Sequence, residues 1–346
     1  MRERHLFAGV NSPAGFFSRF ENIMPERPGA RKIFIKGGPG MGKSTLMKKI
    51  AKKAAEAELE CEVFHCSSDP DSVDGVHIPA LSTAIVDATA PHESDPRYIG
   101  MGGEIFDVSA FLQKEKLSAE PEKMTALVET KKRAFEKGYR FLEAALPLLG
   151  QIESERAPYA DMDGIALAAE KLAESVLGSG RGPRGGERPL FLSAIGPEGF
   201  VHFGDTIFSG TYCVAVKGSF GTDYFVRRFA ELARARGFTP TTLYCPMRPE
   251  EKMEHLYIRE LQFSLTSYNF YTRILANEVL DLDAYMAPRP EEDGEAFRLS
   301  LSLMQRAADA FSEARKAHGD LEKVYGPCMD FAALEEKTAV LLQSIF

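Results

Sequence analysis

Residues 37–45 read GGPGMGKST and place a glycine-rich loop between two kinds of regular structure. Residues 31–36 (RKIFIK) predict a strand, and residues 46–59 (LMKKIAKKAAEAEL) are rich in helix formers. The stretch satisfies the pattern G-x-x-x-x-G-K-[ST], in which backbone N–H groups at the start of a helix surround phosphate oxygens. A strand, a glycine loop and a helix in this order predict an α/β fold with a phosphate-binding loop (P-loop) at the end of a strand.

The pattern assigns a role to each of its residues. We expect Lys43 to place its ammonium on the β- and γ-phosphates, and Ser44 to give its hydroxyl to Mg²⁺. No guanine-reading N-K-x-D or T-K-x-D sequence is present, so the predicted cofactors are ATP and Mg²⁺. The predicted nucleotide-binding residues are Gly37, Gly38, Pro39, Gly40, Met41, Gly42, Lys43, Ser44 and Thr45.

Length and charge limit the classes of partner. A chain of 346 residues holds two domains of ordinary size, and its net charge of −8 argues against binding of DNA, RNA or an anionic membrane. No apolar run approaches the length of a membrane span, and the N-terminus lacks a signal-peptide core. The five cysteines include no C-x-x-C pair, which predicts reduced thiols in a cytoplasmic protein. The predicted partner is a nucleotide, with a protein partner or a second copy of the chain left open.

The chain also contains an internal repeat. Residues 4–17 (RHLFAGVNSPAGFF) align without a gap to residues 188–201 (RPLFLSAIGPEGFV). Further on, residues 33–51 align in the same order with residues 214–230. A repeat of this length predicts two α/β halves with similar folds.

The second copy of the glycine loop differs in chemistry. The sequence alignment sets Gly40 opposite Gly221. The positions of Gly42, Lys43 and Ser44 are then taken by Asp223, Tyr224 and Phe225. A carboxylate there repels phosphate and no lysine offsets it, so we expect the second half to keep the fold and bind no nucleotide.

Together these patterns predict an α/β protein of two tandem P-loop NTPase-like units, each a three-layer α/β/α unit with a C-terminal helical extension. The predicted active unit covers residues 1–178, with its helical part at about 108–177. A flexible Gly/Arg/Pro linker is predicted at 179–187. The degenerate unit is predicted at 188–346, with its helical part at about 293–346.

A Mg²⁺-side carboxylate is expected at the end of a neighbouring strand. Asp87 ends the apolar run LSTAIVD and is the predicted second Mg²⁺ ligand beside Ser44, with a capping role as the alternative. In the second half, the aligned run carries Ser267 and no acid. The lysine and the carboxylate are therefore lost together.

Residues 65–75 (HCSSDPDSVDG) are predicted to form a loop over the site. Asp69 is the predicted third catalytic residue after Lys43 and Asp87. With Asp71 and Asp74, it is expected to position water, accept a proton, or bind a substrate hydroxyl or a second metal. A solvated turn is the alternative interpretation.

Further candidates follow Asp87 in the sequence. Thr89 and His92 are expected either to sense the γ-phosphate or to cap a turn. Residues 93–107, with Arg97, are predicted to form a mobile lid. Three arginines of the second half are weighed as charges supplied to the active loop, with solvated surface charge as the alternative: Arg227, Arg228 and Arg248.

The segments RHLFAGVNSPAGF, KGGPGMGKSTLMKKI and HCSSDPDSVDG…IVDATAPH resemble the bacterial P-loop ATPase-like family of tandem-repeat proteins. Family members can carry a second intact glycine loop, from which this chain departs at Ser219, Phe220, Asp223 and Tyr224. The resemblance covers nearly the whole chain and implies Mg-ATP binding, with no established substrate. We expect ATP hydrolysis in the first half. A small-molecule or nucleotide kinase and a non-hydrolysing ATP-binding switch are the alternatives.

Overall fold

The structure, a computed structural model, describes most of the chain. The described ranges are 3–26, 29–117, 121–180, 182–272, 276–290 and 294–346. Parts of the predicted segments lie outside them: 1–2, 27–28 and 118–120 of the predicted active unit, Arg181 of the predicted linker, and 273–275 and 291–293 of the predicted degenerate unit.

The elements of the first half recur in the same order in the second half. In the first half they are β1 (Glu3–Leu6), β2 (Gly9–Ser12), β3 (Gly15–Ser18), β4 (Arg31–Lys36), α1 (Lys43–Glu56), β5 (Cys61–Cys66), β6 (Asp69–Ile78), β7 (Thr83–Asp87), β8 (Gly103–Asp107), α2 (Pro121–Arg156) and α3 (Met162–Leu177). In the second half they are β9 (Arg188–Leu190), β10 (Ser193–Gly196), β11 (Gly199–His202), α4 (Asp205–Phe208), β12 (Tyr212–Lys217), α5 (Thr222–Ala235), β13 (Thr241–Cys245), β14 (Arg248–Ile258), β15 (Phe263–Ser267), β16 (Glu278–Asp281), α6 (Glu295–Tyr325) and α7 (Phe331–Ile345). The short α4 follows the hairpin of the second half, where the first half has a single 3-10 turn at Phe20–Asn22.

Each half forms one mixed six-stranded sheet and one two-stranded hairpin. The first sheet has the strand order β1-β5-β6-β7-β4-β8, and the second has the equivalent order β9-β13-β14-β15-β12-β16. β4 lies parallel to β7 and β8, whereas β6 runs antiparallel to both of its neighbours. The interior of β4 is buried, as expected for an apolar strand inside a sheet. The predicted α/β class with two similar halves is confirmed.

The last helix of each half packs on the other half. α7 lies beside α1 on the first sheet, where Leu334 and Leu341 join the core around Ile50. α3 lies beside α5 on the second sheet, where Ile165 packs in the core with Phe225. The two halves have therefore exchanged their terminal helices, which the sequence repeat did not reveal.

An isolated β-bridge lies just before each of the two exchanged helices. Leu112, which follows β8, pairs with Met329 just before α7. Ala160, just before α3, pairs with Met286, which follows β16. The same connection thus occurs twice: the first half pairs with the segment before α7, and the second half pairs with the segment before α3.

α2 and α6 form a long antiparallel helix pair, hereafter the helix pair. Lys137 of α2 contacts Glu313 of α6, and earlier along α2 Lys131 contacts His318, so the two helices run in opposite directions. A Cβ at Gly138 would lie 2.3 Å from the ring of Phe311, so glycine permits this close approach. α6 of the second half therefore extends toward the glycine-rich loop of the first half, and α2 of the first half extends toward the corresponding loop of the second half.

Residues of both halves share a core on the opposite faces of the sheets. Phe34 and Phe64 pack there with Leu190, Leu243 and other apolar residues of the second half. One face of each sheet is therefore covered by helices, α1 and α7 on the first sheet and α5 and α3 on the second, rather than the two faces expected for a three-layer unit. No helix in the described ranges is long and apolar enough to cross a membrane.

Main-chain hydrogen bonds join the halves at the centre of the molecule. The N–H of Phe7 donates to the carbonyl of Phe191 at 2.9 Å, and the N–H of Phe191 donates back at 3.1 Å. Beside this bridge, Arg188 donates to both carboxylate oxygens of buried Glu62, at 2.9 and 2.8 Å. This reciprocal junction is the centre of the approximate twofold relation between the halves.

Three predicted irregular segments are ordered by contacts. The predicted loop at 65–75 is the hairpin of β5 and β6, so its aspartates lie in a strand. Residues 103–107 of the predicted lid form β8 at the edge of the first sheet. In the predicted flexible linker, the N–H of Gly185 donates to the carbonyl of Arg234, which ties the segment to the end of α5.

Candidate functional site

The loop of residues 37–42, hereafter the glycine loop, connects β4 directly to α1. Gly42 is the N-cap of this 14-residue helix and has φ of +90°, a backbone conformation that strains other residues. Its carbonyl accepts the first helical hydrogen bond, from the N–H of Leu46 at 3.0 Å. The start of α1 therefore opens at the end of β4, where free helix N–H groups favour an anion.

Lys43 lies folded over the glycine loop. Its Nζ donates to the carbonyl of Gly37 at 2.7 Å and to that of Gly38 at 2.9 Å. The same ammonium lies 3.6 Å from Oδ2 of Asp87, and its side chain is only 13% exposed. A charge held this way is available to phosphate oxygens that enter the loop.

Asp87 lies where the sequence predicted it, at the end of a strand next to β4. β7 pairs with β4 so that Asp87 stands opposite Ile35. Its Oδ1 accepts a hydrogen bond from the N–H of Thr89 at 2.9 Å. Burial raises the pKa of the Asp87 carboxyl, and the nearby charges of Lys43 and His92 only partly counteract this. A divalent cation would favour the ionised carboxylate at this position.

Ser44, the predicted Mg²⁺ ligand, faces β6. Its Oγ accepts a hydrogen bond from the N–H of Val73 at 3.0 Å. Thr45 and Gly42, by contrast, lie on the side of the loop that α7 covers, where they line a cavity with Phe331 and Leu334. The predicted binding residues of the loop therefore divide between a β6 side and an α7 side.

The acid that joins Asp87 at this site is Asp74. His92 is buried, with Nε2 3.5 Å from Oδ2 of Asp74 and its ring stacked on Phe20 at 4.4 Å. Burial alone would lower the pKa of His92, but the carboxylates of Asp74 and Asp87 outweigh it and raise this pKa. Asp74, Asp87 and His92 thus form one electrostatically coupled group beside Lys43.

Asp69, the predicted third catalytic residue, lies at the start of β6 opposite Cys66. Burial raises the pKa of its carboxyl, and the nearby charges include Arg315 of α6 and Asp71. Asp69 is therefore placed toward the helix pair, whereas Asp74 lies toward Asp87. Arg97, the arginine of the predicted lid, is exposed and its N–H donates to the carboxylate of Glu26 at 3.0 Å.

The helix pair reaches the glycine loop, which sequence reasoning missed. Gly40 has φ of +68°, and a Cβ there would lie 2.8 Å from the backbone oxygen of Glu322 in α6. Lys131 of α2 donates to Nδ1 of His318 at 2.9 Å, and the charge of Lys43 acts on both side chains. The periodicity of α2 and α6 shows only a buried stripe, so no local pattern distinguishes these polar residues.

The structure corrects the alignment of the two loops. Gly221, with φ of +81°, is the N-cap of α5 and is the counterpart of Gly42 rather than of Gly40. The counterpart loop is 218–221, two residues shorter than 37–42. Thr222 and Asp223 therefore correspond in position to Lys43 and Ser44.

Internal ion pairs fill the second site. Arg227 contacts Asp223 at 3.2 Å, one helical turn away. Glu153 of α2 pairs with Arg248 and, at 3.4 Å, with Lys252. Three arginines weighed for the active loop thus pair at the second site, since Arg228 also contacts Glu170 of α3.

Ser267 stands at the position of Asp87, as the sequence repeat predicted. It ends β15, where Val216 of β12 pairs with it as Ile35 of β4 pairs with Asp87. The counterpart of Asp74 is Glu254, which is buried and accepts a hydrogen bond from the hydroxyl of Tyr271 at 2.6 Å. The second site thus retains a buried acid at the position of Asp74 and has no acid at the position of Asp87.

Within the described ranges, no group of three or more His, Cys, Asp or Glu side chains could by itself hold a metal ion. Mg²⁺ commonly binds through one or two protein oxygens together with phosphate oxygens and water. Ser44, which follows Lys43 in the sequence, and Asp87, which lies 3.6 Å from the ammonium of Lys43, provide oxygens of this kind. No family model matches the chain, and no curated protein or solved structure matches it either.

Proposed function

We propose that the first half is a P-loop NTPase unit that binds Mg-ATP and hydrolyses it, and that the second half is its catalytically degenerate copy. One observation carries this proposal. Lys43 and Asp87 lie 3.6 Å apart at the end of β4, and both are replaced in a second half of equivalent topology. Loss of both groups together is expected if both act on one Mg-nucleotide.

Each group at the glycine loop has a role in this proposal. The N–H groups at the start of α1 bind phosphate oxygens, and Lys43 moves from the carbonyls of Gly37 and Gly38 to the β- and γ-phosphates. Ser44 and Asp87 would hold Mg²⁺, which would neutralise charge on the phosphates. Because the hydroxyl of Ser44 accepts from Val73 N–H, it keeps its own proton and a lone pair for other contacts.

Hydrolysis further requires an oriented water. Asp74 and His92 are coupled to Asp87 on the side of β6, which supports them as the groups that hold the attacking water. Water adds to the γ-phosphorus, the bond between the γ-phosphorus and the β-phosphate oxygen breaks so that ADP leaves, and the carboxylate of Asp74 accepts the proton of the water. This role replaces the one that the sequence assigned to Asp69.

A non-hydrolysing switch is the second candidate function. The backbone of Glu322 lies against Gly40, so a ligand that moves the glycine loop also acts on α6. Such coupling would serve a switch as well as a catalyst. Binding without turnover distinguishes the two, and a screen for acceptor-dependent product tests the kinase alternative.

Phosphate release from ATP tests the proposal. The wild type is expected to release phosphate steadily without an added acceptor, and Lys43→Ala is expected to lose at least about 100-fold of this rate. Lys52→Ala, at an exposed position of the same helix, is the matched control and should retain the wild-type rate. Equal rates for Lys43→Ala and the wild type would refute the assignment of the site, and binding without release would favour the switch.

A further inference from the structure

Lys131 is a half-buried cation without a role in the preceding account. It belongs to α2, and its Nζ lies 2.9 Å from Nδ1 of His318 in α6. Burial lowers the pKa of His318 to about 4, and the positive charges of Lys131 and Lys43 act in the same direction. The imidazole is therefore neutral near pH 7 and accepts a hydrogen bond from the ammonium without balancing its charge.

The position of this pair along α6 places it beside the glycine loop. His318 precedes Glu322 by four residues, one helical turn or about 6 Å along the axis. A Cβ at Gly40 would lie 2.8 Å from the backbone oxygen of Glu322 and 2.9 Å from its Cα. Lys131 therefore lies about one turn from the contact between α6 and the loop.

Electrostatic coupling to Lys43 supports this placement. Burial lowers the pKa of Lys131, and the ammonium of Lys43 lowers it further, while Cys66 and Glu322 oppose the change. Two ammonium groups that approach each other in a half-buried space repel each other. An anion between them would remove this repulsion, and phosphate oxygens in the glycine loop would lie in that region.

The second half has lost this pair as well. Asp161 and Asp330 are matched N-caps of α3 and α7, and each follows the end of one long helix. Counting back equally from the two caps, Ser300 corresponds to Lys131 and Leu149 corresponds to His318. Ser300 is buried and donates to the carbonyl of Phe297.

The losses in the second half therefore extend beyond the glycine loop. Thr222 and Ser267 replace Lys43 and Asp87, and Ser300 replaces Lys131. Glu322 and Glu153 are corresponding acids, so this acid of the helix pair is kept in the second half. Lys131 is lost with the phosphate-binding groups, although it belongs to a different element.

We infer that Lys131 is a second phosphate-binding lysine, which contacts the γ-phosphate of a nucleoside triphosphate in the glycine loop, and that His318 positions it. This inference rests on the proposed function of the same site. It gives the helix pair a direct contact with the phosphate that hydrolysis removes. The helix pair then distinguishes a bound triphosphate from a bound diphosphate.

Binding of two nucleotides to the intact protein tests this inference. Calorimetric titrations with ADP and with a non-hydrolysable ATP analogue, both with Mg²⁺, give an affinity ratio for each variant. Lys131→Met is expected to lose about tenfold in affinity for the analogue, about 1.4 kcal/mol, and to keep the wild-type affinity for ADP. Lys132→Met, at the next and exposed position, is the control and should keep both affinities.

His318→Leu, which copies Leu149 of the second half, tests the positioning role. We expect a smaller loss of about threefold for the analogue and an unchanged affinity for ADP. Thermal unfolding of each variant shows whether the fold is intact. An equal loss for both nucleotides, or no loss in Lys131→Met, would overturn the inference while the proposed function stands. A wild type that binds neither nucleotide would refute the proposed function and this inference together.

Discussion

The two ends of the helix pair have the same frame and opposite chemistry. At one end, Gly42 caps α1 with φ of +90°, and at the other Gly221 caps α5 with φ of +81°. The first end holds Lys43 beside Asp87, and the charge of Lys43 acts on Lys131 of the helix pair. The second holds the pairs of Asp223 and Glu153 with their own basic partners. The comparison teaches that the fold preserves the helix cap and the strand register around the site, while the loop shortens and internal ion pairs take over its charges.

The exchange of terminal helices makes each site depend on both halves. α7 lies over the first glycine loop, and a Cβ at Gly42 would lie 3.2 Å from Leu334. α3 lies over the counterpart loop, and a Cβ at Gly221 would lie 2.8 Å from Ile165. The second half therefore contributes packing to the first site.

The largest effect is expected from removal of one exchanged helix, which should affect the two halves differently. Ending the chain after Met329 removes α7, whose Leu334, Leu341 and Ile345 are buried on the first sheet. Each such residue stabilises by about 2–5 kcal/mol, so the total approaches the stability of a whole domain. Hydrogen exchange is expected to rise strongly in α1 and β4.

The same experiment contains its own comparison, because α5 packs on α3 and not on α7. Protection of α5 should fall much less than that of α1. Val340→Ala, at a position that is 58% exposed on α7, is the control and should leave exchange unchanged. Greater loss of protection in α5 than in α1 would contradict the exchange of helices.

The next largest effect is expected from substitutions that disrupt the junction between the halves. Arg188→Met leaves the Glu62 carboxylate buried with weaker compensation, and should cost about 3 kcal/mol of unfolding free energy. Arg4→Met removes the corresponding arginine, whose Nη2 donates to the hydroxyl of Tyr257 at 2.8 Å, and should cost about 1 kcal/mol. Denaturant unfolding of both variants measures the difference, and equal costs would count against the role of Glu62.

The junction also predicts a pH dependence. Although burial raises the pKa of Glu62, Arg188 and His77 outweigh it and hold this pKa well below its usual range. Glu62 therefore stabilises the fold fully above about pH 4.3, its unfolded value, and this stability is lost as pH falls toward the folded pKa. Below about pH 5, the unfolding free energy from denaturation curves should fall more steeply with decreasing pH in the wild type than in Arg188→Met. Parallel pH dependences would exclude Glu62 as the cause.

A smaller effect concerns the contact between α6 and the glycine loop. Gly40→Ala adds a Cβ at φ of +68° that meets the backbone of Glu322, and should cost about 1–3 kcal/mol. Gly100→Ala is the matched control, because Gly100 has φ of +75° and nothing within 4 Å of the added atom. Thermal unfolding should show the larger loss for Gly40→Ala. Equal losses would mean that backbone strain alone matters and that α6 is not in contact there.

The smallest effect is expected in the second site. Asp223→Ser removes a half-exposed i,i+4 pair with Arg227, so its effect on unfolding free energy should stay within about 0.5 kcal/mol. It should also not create a nucleotide site, because the counterpart loop is short and has no lysine at Thr222. A gain of nucleotide binding in this variant, measured by calorimetry, would show that Asp223 alone disables the second half.

The local pattern around the glycine loop was sufficient to predict several positions. The strand before it, the helix after it, which the sequence predicts over 46–59 and which spans Lys43–Glu56, and the strand end at Asp87 all depend on short-range periodicity and one parallel pairing. The repeat also predicted Ser267 at the place of Asp87. These features are encoded within a few residues, which is why the sequence alone could indicate them.

Long-range contacts account for what the sequence did not predict. The apolar stripe of α3 or of α7 could be buried against either half. The stripe alone therefore does not reveal that the two helices are exchanged. The loop correction depends on where the two-residue difference in length falls, because the structure places it before Gly221 and the sequence alignment placed it after. Asp69 and Asp74 are equally plausible in sequence, and only the hairpin of β5 and β6 directs Asp74 toward His92.

The number of nucleotides bound per chain tests the central claim most directly. Calorimetric titration of the wild type with Mg²⁺ and a non-hydrolysable ATP analogue should give one site per chain. Lys43→Ala should bind at least about tenfold more weakly, and Lys217→Ala, at the strand end before the counterpart loop, should bind as the wild type does. Two sites per chain, or one site that survives Lys43→Ala and is lost in Lys217→Ala, would contradict the account.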